Sequence, residues 1–366
     1  MTATAGEPAP PEARAMGLLN DARRQARLGQ LELARVTLSQ VVALLADAAT
    51  LPRWRVRLSL VQCSLRFFAD DTDGALDQIR QAHALACAHG LRPLQAACAS
   101  AGSVYLQYLD QVDECVAWAE EALCLADPGD HETRYRAILS VATMCQEYGD
   151  GTRAFALYRA AMGHARTLGD TLGTAATVSR MILVQGREVM SDWLHGRLAA
   201  EALKQAIVGL QSGIALCDQE GFTPDFTLDV TLGELLVLQG DHLQAADMLR
   251  PWSDAEQMAD APFLPSRVAA LMGQCALAAG DIAAARARLA QSDARWPPAW
   301  PEGFTLLRAL SLAQRAVLQD RLAEPTGHTR AELQEVLREL DDEQAARREQ
   351  LQRAITASSL EALVAA

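Results

Sequence analysis

The sequence predicts an all-α fold made of about seven stacked helical hairpins, and three observations predict it. Turn-like residues recur at intervals of 39 to 41 positions along most of the chain. Small side chains flank these turns at fixed offsets. Half of the 366 residues are hydrophobic but only 5% are aromatic, with Ala and Leu abundant. That composition favours helices, because Ala loses no side-chain entropy in a helix and Leu loses little.

The turns are placed at Gly29, Asp70, Asp110, Gly149, Glu201, Gly240 and Gly280. Five residues after each stands Ala34, Ala75, Cys115, Ala154, Ala206, Ala245 or Ala285. Seven residues before six of them stands Ala22, Cys63, Ser103, Ala142, Gly233 or Gly273. Two antiparallel helices joined by a short turn approach closely beside it, and only small side chains permit that approach. Gly149-Asp150, Gly240-Asp241 and Gly280-Asp281 each pair a glycine suited to ending one helix with an aspartate suited to capping the next. Gly90, Gly169 and Gly221 recur at the far end of the second helix. A single hairpin cannot bury its apolar face, so the units must stack.

Taken in order, residues 1–13 read as a Pro/Ala/Thr-rich disordered tail and 14–295 as the repeat array. The first helix begins near Ala15 and stops at Gly29; the second runs from Leu31 to about Ala48 and is broken by Leu51-Pro52. The fifth repeat carries about twelve surplus residues, assigned to Arg187–Ala199 with Met190, Trp193 and His195. They form either an extension of its first helix or a protruding loop. Trp296–Pro301 cannot be helix interior, so 296–327 is expected to be a rigid connector followed by a helix from Gly303 to Ala323. Residues 328–366 hold a charged final helix and tail, with Thr329 and Glu332 spaced as a capping box. Leu333, Val336, Leu337 and Leu340 share one face of that helix, whose second half is charged. It reads as a solvated helix or a coiled-coil stub able to form a homodimer.

The net charge is −13, with Lys204 the single lysine. This balance argues against nucleic acid, which needs a basic face to displace phosphate counterions, and against an anionic membrane surface. The eight cysteines are scattered and none forms CxxC, so they read as buried reduced thiols. The first residues lack a signal-peptide pattern, and no apolar run reaches bilayer length; a cytoplasmic protein is expected.

No phosphate loop, dinucleotide fingerprint, nucleophile elbow or zinc-protease motif occurs. The Glu-Ala-Leu triplets at Glu121, Glu201 and Glu361 are chance products of Ala/Leu-rich helices. His83 and Cys87 share a helix face with His89 nearby, but two or three ligands do not complete a zinc site. No catalytic residue, metal or cofactor is expected.

Small residue, turn, Gly-Asp and following alanines together resemble tetratricopeptide repeats over roughly residues 15–295, with the best match at Asp110–Leu123. The period near 40 instead of 34 and the scarcity of the usual first-helix tryptophan and tyrosine are departures. They look like the long repeats of bacterial signalling proteins. The resemblance implies a right-handed superhelical solenoid with a C-terminal capping helix pair and a concave groove lined by first helices. Carrying groove positions over by their spacing from each turn gives Arg57, Ser64, Gln107, Arg136, Thr143, Gln146, Glu234, Arg267 and Gln274. The expected function is a non-catalytic scaffold binding a peptide or protein segment. The alternative is the sensory half of a diguanylate cyclase or MalT-like regulator without its output domain.

Overall fold

The computed structural model describes residues 10–219, 226–253, 263–300 and 303–365. Among them are seventeen α-helices and no strand, and no helix is long and apolar enough to cross a membrane. The helices pair in chain order as α1 (Pro11–Arg27) with α2 (Leu31–Leu45), and α3 (Pro52–Phe67) with α4 (Thr72–Ala88). Next come α5 (Arg92–Tyr108) with α6 (Val112–Leu125), and α7 (His131–Glu147) with α8 (Gly151–Leu168). The second half pairs α9 (Thr171–Leu194) with α10 (Ala200–Gln219), and α11 (Phe226–Gln239) with α12 (His242–Leu249). It ends with α13 (Leu264–Ala278) and α14 (Ile282–Ala294), α15 (Thr305–Arg321) and α16 (Gly327–Thr356), and a short α17 (Leu360–Ala365). The expected capping pair is thus an eighth hairpin, α15–α16, turning through Ala323 at φ +55°.

All thirteen small residues of the repeat pattern are buried. At the α5–α6 crossing the Cys115 thiol donates to the Ser103 carbonyl at 3.3 Å, so the two repeat positions are in contact. At the α13–α14 crossing a Cβ on Gly273 would lie 3.4 Å from the Ala285 carbonyl oxygen. Gly29, Asp70, Asp110, Gly149, Gly240 and Gly280 all adopt the left-handed conformation, with φ from +57° to +92°. Aspartate tolerates that region better than most side chains, which is why it can replace glycine at two of the turns. The Asp150, Asp241 and Asp281 carboxylates accept from the backbone N–H three residues on, at 3.1, 3.2 and 2.8 Å.

One turn is corrected. Glu201 lies inside α10, and the chain turns instead at Gly196, φ +69°. The surplus of the fifth repeat therefore lengthens α9 to 24 residues, and no protruding loop forms at Arg187–Leu194. Met190 and Val189 on that extension are buried and Trp193 packs beside them, so apolar burial explains the extra turns. Helix α1 also begins within the expected tail, at Pro11; residues 1–9 lie outside the described part, as do Gly221 and Pro301.

The chain divides into two compact units. Unit 1 comprises residues 1–145, 159–168 and 350–366; unit 2 comprises 146–158 and 169–349. In unit 1 the first core cluster joins Ala15, Leu19, Ala22 and Ala26 of α1 to Ala34, Leu38 and Val41 of α2 and Trp54, Leu58 and Val61 of α3. In unit 2 the main cluster draws Leu232, Leu235 and Leu236 from α11, Val268 and Leu271 from α13, and Leu310 from α15. Helix α15 therefore shares the core of the repeats before it. The connector ahead of it folds into unit 2 through Trp296, edge-on to Trp300 with 5.5 Å between ring centroids and covered by the Arg315 guanidinium at 5.7 Å.

Two expectations for the C-terminus are corrected. Helix α16 starts at Gly327, so Thr329 is an interior residue and not an N-cap, and Glu332 pairs with Arg308 at 3.0 Å. The apolar face of α16 is used within the chain. Val336 and Leu340 pack on Ala309 and Leu312 in unit 2, while Leu351 and Ile355 are buried in unit 1. The helix is therefore not simply solvated: its apolar face packs within the chain. The last turns of the chain dock in unit 1. Glu120 accepts from the Ser359 backbone N–H at 2.7 Å and Arg134 donates to the Leu363 carbonyl at 2.9 Å.

Beside Arg134 the Nδ1 atoms of His131 and His164 stand 2.9 Å apart, so one ring donates and the other must accept. Burial first, then Arg134 and His131, lower the His164 pKa below the ordinary value of 6.5. A histidine whose folded pKa is depressed stabilises the fold above its unfolded pKa, and that stability disappears as pH falls through the folded value. Unit 1 is therefore expected to lose stability on acidification below about pH 6.5, and His164→Gln to flatten that acid limb. Denaturant titrations at several pH values check it; identical pH slopes for the two proteins would refute the assignment.

Candidate functional site

The first helices of unit 1, α1, α3, α5 and α7, bring a cationic cluster together. Glu132, at the start of α7, accepts from Arg136 one turn later at 2.6 Å and pairs with Arg23 of α1 at 3.4 Å. An ion pair between the first and the fourth hairpin means that the inner helices of this unit curl round a shared space. Arg57 of α3 lies beside this group, close enough for its charge to act on Arg23, with its guanidinium 5.4 Å above the Trp54 ring and its Nη1 against the Met16 sulfur. Tyr105 of α5 lies buried among them and shares a hydrogen bond with Ser64.

The electrostatics follow from that placement. Arg136, ahead of the opposing effect of burial, holds the Glu132 carboxyl below its ordinary pKa, with Arg23 adding to the pull. Burial and then Arg136 lower the Arg23 pKa, with Glu132 opposing them. Burial and then Arg53 lower that of Arg57. Arg136, Arg23 and Arg27 thus act on one carboxylate, Arg57 acts on Arg23, and the cluster is wet: the Arg23 and Glu132 side chains retain 20% and 48% of their exposure. A partly desolvated group of arginines with surplus positive charge is built to take a carboxylate.

Of the nine residues carried over by spacing, Arg57, Ser64 and Arg136 meet here. Gln107 and Thr143 are buried in their helices, with the Thr143 hydroxyl donating to the Leu139 carbonyl at 3.0 Å. Gln146 belongs to unit 2, where it accepts from the Tyr158 hydroxyl at 2.6 Å.

Glu234, Arg267 and Gln274 also meet, but in the interior of unit 2, which corrects their expected place on an open groove. Arg267 of α13 forms an ion pair with Glu234 of α11, their side chains 3% and 0% exposed. Gln314 of α15 donates to Glu234 at 2.8 Å and accepts from Gln274 at 2.7 Å. Arg267 further contacts the Met190 sulfur of α9 at 3.3 Å. Burial first, then Arg187, draws the Arg267 pKa down to about 9, so the guanidinium still carries its charge at neutral pH beside Glu234. Residues of four first helices, α9, α11, α13 and α15, surround these groups, and Glu234, Arg267, Gln274 and Gln314 are all buried. The same repeat positions give a wet cationic cluster in unit 1 and a dry, charge-balanced one in unit 2.

Sequence reasoning missed Arg23, Tyr105 and Glu132. Arg23 was within reach, since it stands six residues before the Gly29 turn, the offset that Ser64, Thr143, Glu234 and Gln274 have from theirs. Elsewhere, His83 is engaged by Glu121 at 3.0 Å and by the Trp118 ring, with Cys87 at 3.7 Å. No group of three or more metal-ligating side chains occurs among the described residues.

Paired helices, small-residue crossings and left-handed Gly/Asp turns define the fold. It is an all-α array of helical hairpins, similar in pattern to tetratricopeptide repeats. No family model and no curated protein matches the sequence. Among solved structures, one that it resembles is a Rap protein complexed with competence and sporulation factor. That match is 13% identical, covers 92% of this chain and 100% of that one, and has a TM-score of 0.49. Another is the Rap conjugation gene regulator of plasmid pLS20 with the Phr* peptide: 12% identity, 93% and 96% coverage, TM-score 0.42. A third is a tetratricopeptide repeat protein from Parabacteroides merdae: 11% identity, 81% and 98% coverage, TM-score 0.37.

Proposed function

We propose that this protein is a non-catalytic scaffold that holds an acidic peptide or protein segment against α1, α3, α5 and α7, in a bacterial signalling or regulatory role. One observation carries the reading: Arg23 and Arg136 both pair with the Glu132 carboxylate, still open to water, with the charges of Arg27 and Arg57 acting on that pair, in a chain whose net charge is −13. Like charges gathered on one face cost stability through mutual repulsion unless an anion offsets them. Glu132 answers only part of that charge. A ligand carboxylate completes it, with guanidinium forks supplying paired hydrogen bonds.

Arg136→Glu is expected to weaken binding of a fluorescent acidic peptide at least tenfold while leaving helicity unchanged. Affinity for that peptide falls as salt is raised, because the interaction is between solvent-accessible charges. Fluorescence anisotropy reads both. Equal affinity in the native protein and the variant would remove the cluster from function.

A further inference from the structure

A cleft of about 560 Å³ opens elsewhere in unit 1. Among the described residues its walls come from α2, the end of α3, the turn after it and α4. Helix periodicity gives its side. At about 100° per residue, Gln62 and Arg66 in its wall point roughly 160° away from Ser64, the α3 residue bonded to Tyr105 at the arginine cluster. The cleft therefore lies on the far side of α3 from that cluster. Its volume is that of a small-molecule site, for which about 300–1,000 Å³ is usual. Leu38 and Leu65 give it apolar wall, and Arg35, Ser39, Gln62 and Arg66 give it polar groups.

The hydrogen bonds already made leave this wall rich in donors. Asp71 has both oxygens in use, Oδ1 accepting from the Gly74 backbone N–H at 3.0 Å and Oδ2 from Arg66 at 3.2 Å. Gln62 Oε1 accepts from the Gln78 amide at 2.7 Å, and the Gln78 oxygen is itself closed to solvent. What remains for a ligand is the Gln62 amide N–H and the guanidiniums of Arg35 and Arg66. Each guanidinium gives one Nη1 to a carboxylate, Glu32 or Asp71, yet the two arginine side chains stay 50% and 51% exposed. Ion pairs so open to water contribute little stability, so an anion can share their donors at small cost.

We infer that this cleft binds a small organic acid, a carboxylate carried on an aliphatic body. The carboxylate takes N–H groups of Arg35, Arg66 and Gln62, for which the guanidinium fork is suited because it can meet both oxygens. The aliphatic body covers Leu38 and Leu65. A cationic head would be set against two guanidiniums, and a neutral one would forgo the charge-assisted bonds. The site shares no residue with Arg23, Glu132 and Arg136, and it goes beyond the peptide reading without resting on it.

Calorimetric titration of the full chain with octanoate, 1-octanol and octylamine tests the inference. Octanoate is expected to bind at one site, about tenfold more tightly than either control. Arg66→Gln should weaken octanoate roughly tenfold. Ser39 is exposed on α2 at the cleft, so Ser39→Trp should block the site and abolish binding without changing helicity. No binding of octanoate by the native protein, equal affinity for the three probes, or octanoate affinity unchanged in Arg66→Gln or Ser39→Trp would overturn the cleft. Octanoate binding that survives Ser39→Trp and is lost in Arg136→Glu would also overturn it, by placing the acid at the arginine cluster.

Discussion

Replacing Glu234 with Leu is expected to lower the stability of unit 2 by about 3–5 kcal/mol, the cost of breaking a buried ion pair from one side. The variant leaves the Arg267 guanidinium inside unit 2 without its carboxylate and takes the acceptor away from Gln314. Burial already pulls the Arg267 pKa down, and without Glu234 its charge can be met only by admitting water. Arg267→Met alone is expected to be costly for the mirror reason, since it strands Glu234. The double variant Glu234→Leu with Arg267→Met should be much closer to the native protein than the two single costs added together, because both desolvated charges leave at once. Urea unfolding of the four proteins measures the coupling. Additivity to within about 0.5 kcal/mol would show that the pair is not the unit that matters.

Gly102→Leu is expected to destabilise unit 1 by about 3 kcal/mol through overpacking. Exchanging glycine for leucine within a helix is worth up to about 1 kcal/mol in favour of the variant, so propensity alone predicts the opposite sign. The crossing decides the matter. A Cβ on Gly102 would stand 2.2 Å from Cε3 and Cζ3 of Trp118, a flat ring held on α6 with its other side toward His83. That ring cannot retreat without giving up the His83 contact and opening the α5–α6 interface. Trp118→Ala in the same chain should relieve most of the leucine penalty. Thermal unfolding of the single and double variants reads it; a Gly102→Leu protein as stable as the native one would mean the helices can separate without cost.

The repeat was legible because its determinants are local. The left-handed turns at Gly29, Gly149, Gly240 and Gly280, the aspartate caps and the buried small residues each act within one hairpin. Gly196 was missed because it falls off the 40-residue spacing, and spacing had been allowed to override the turn preference of glycine itself. The extension of α9 could not be chosen over a loop from sequence, since Val189, Met190 and Trp193 suit either until a core is present to bury them. For α16 the heptad lapse was visible but the destination of its apolar face was not. Val336 and Leu340 find their partners, Ala309 and Leu312, on α15, which only the tertiary packing reveals.

The candidate site divides the same way. Arg57, Ser64 and Arg136, like Glu234, Arg267 and Gln274, are picked out by their distance from a turn; the first trio lies at or beside a wet cluster and the second is buried in unit 2. By itself, then, the sequence determined that this is a chain of helical hairpins and where most of them turn. Those properties depend on residues a few positions apart. Whether an inner face is open or closed depends on how four successive hairpins curl, which sums small packing displacements over a hundred residues or more. Only the tertiary structure decided that Arg23 would reach Glu132 across a wet cationic space, and that Arg267 and Glu234 would be sealed together in a dry one.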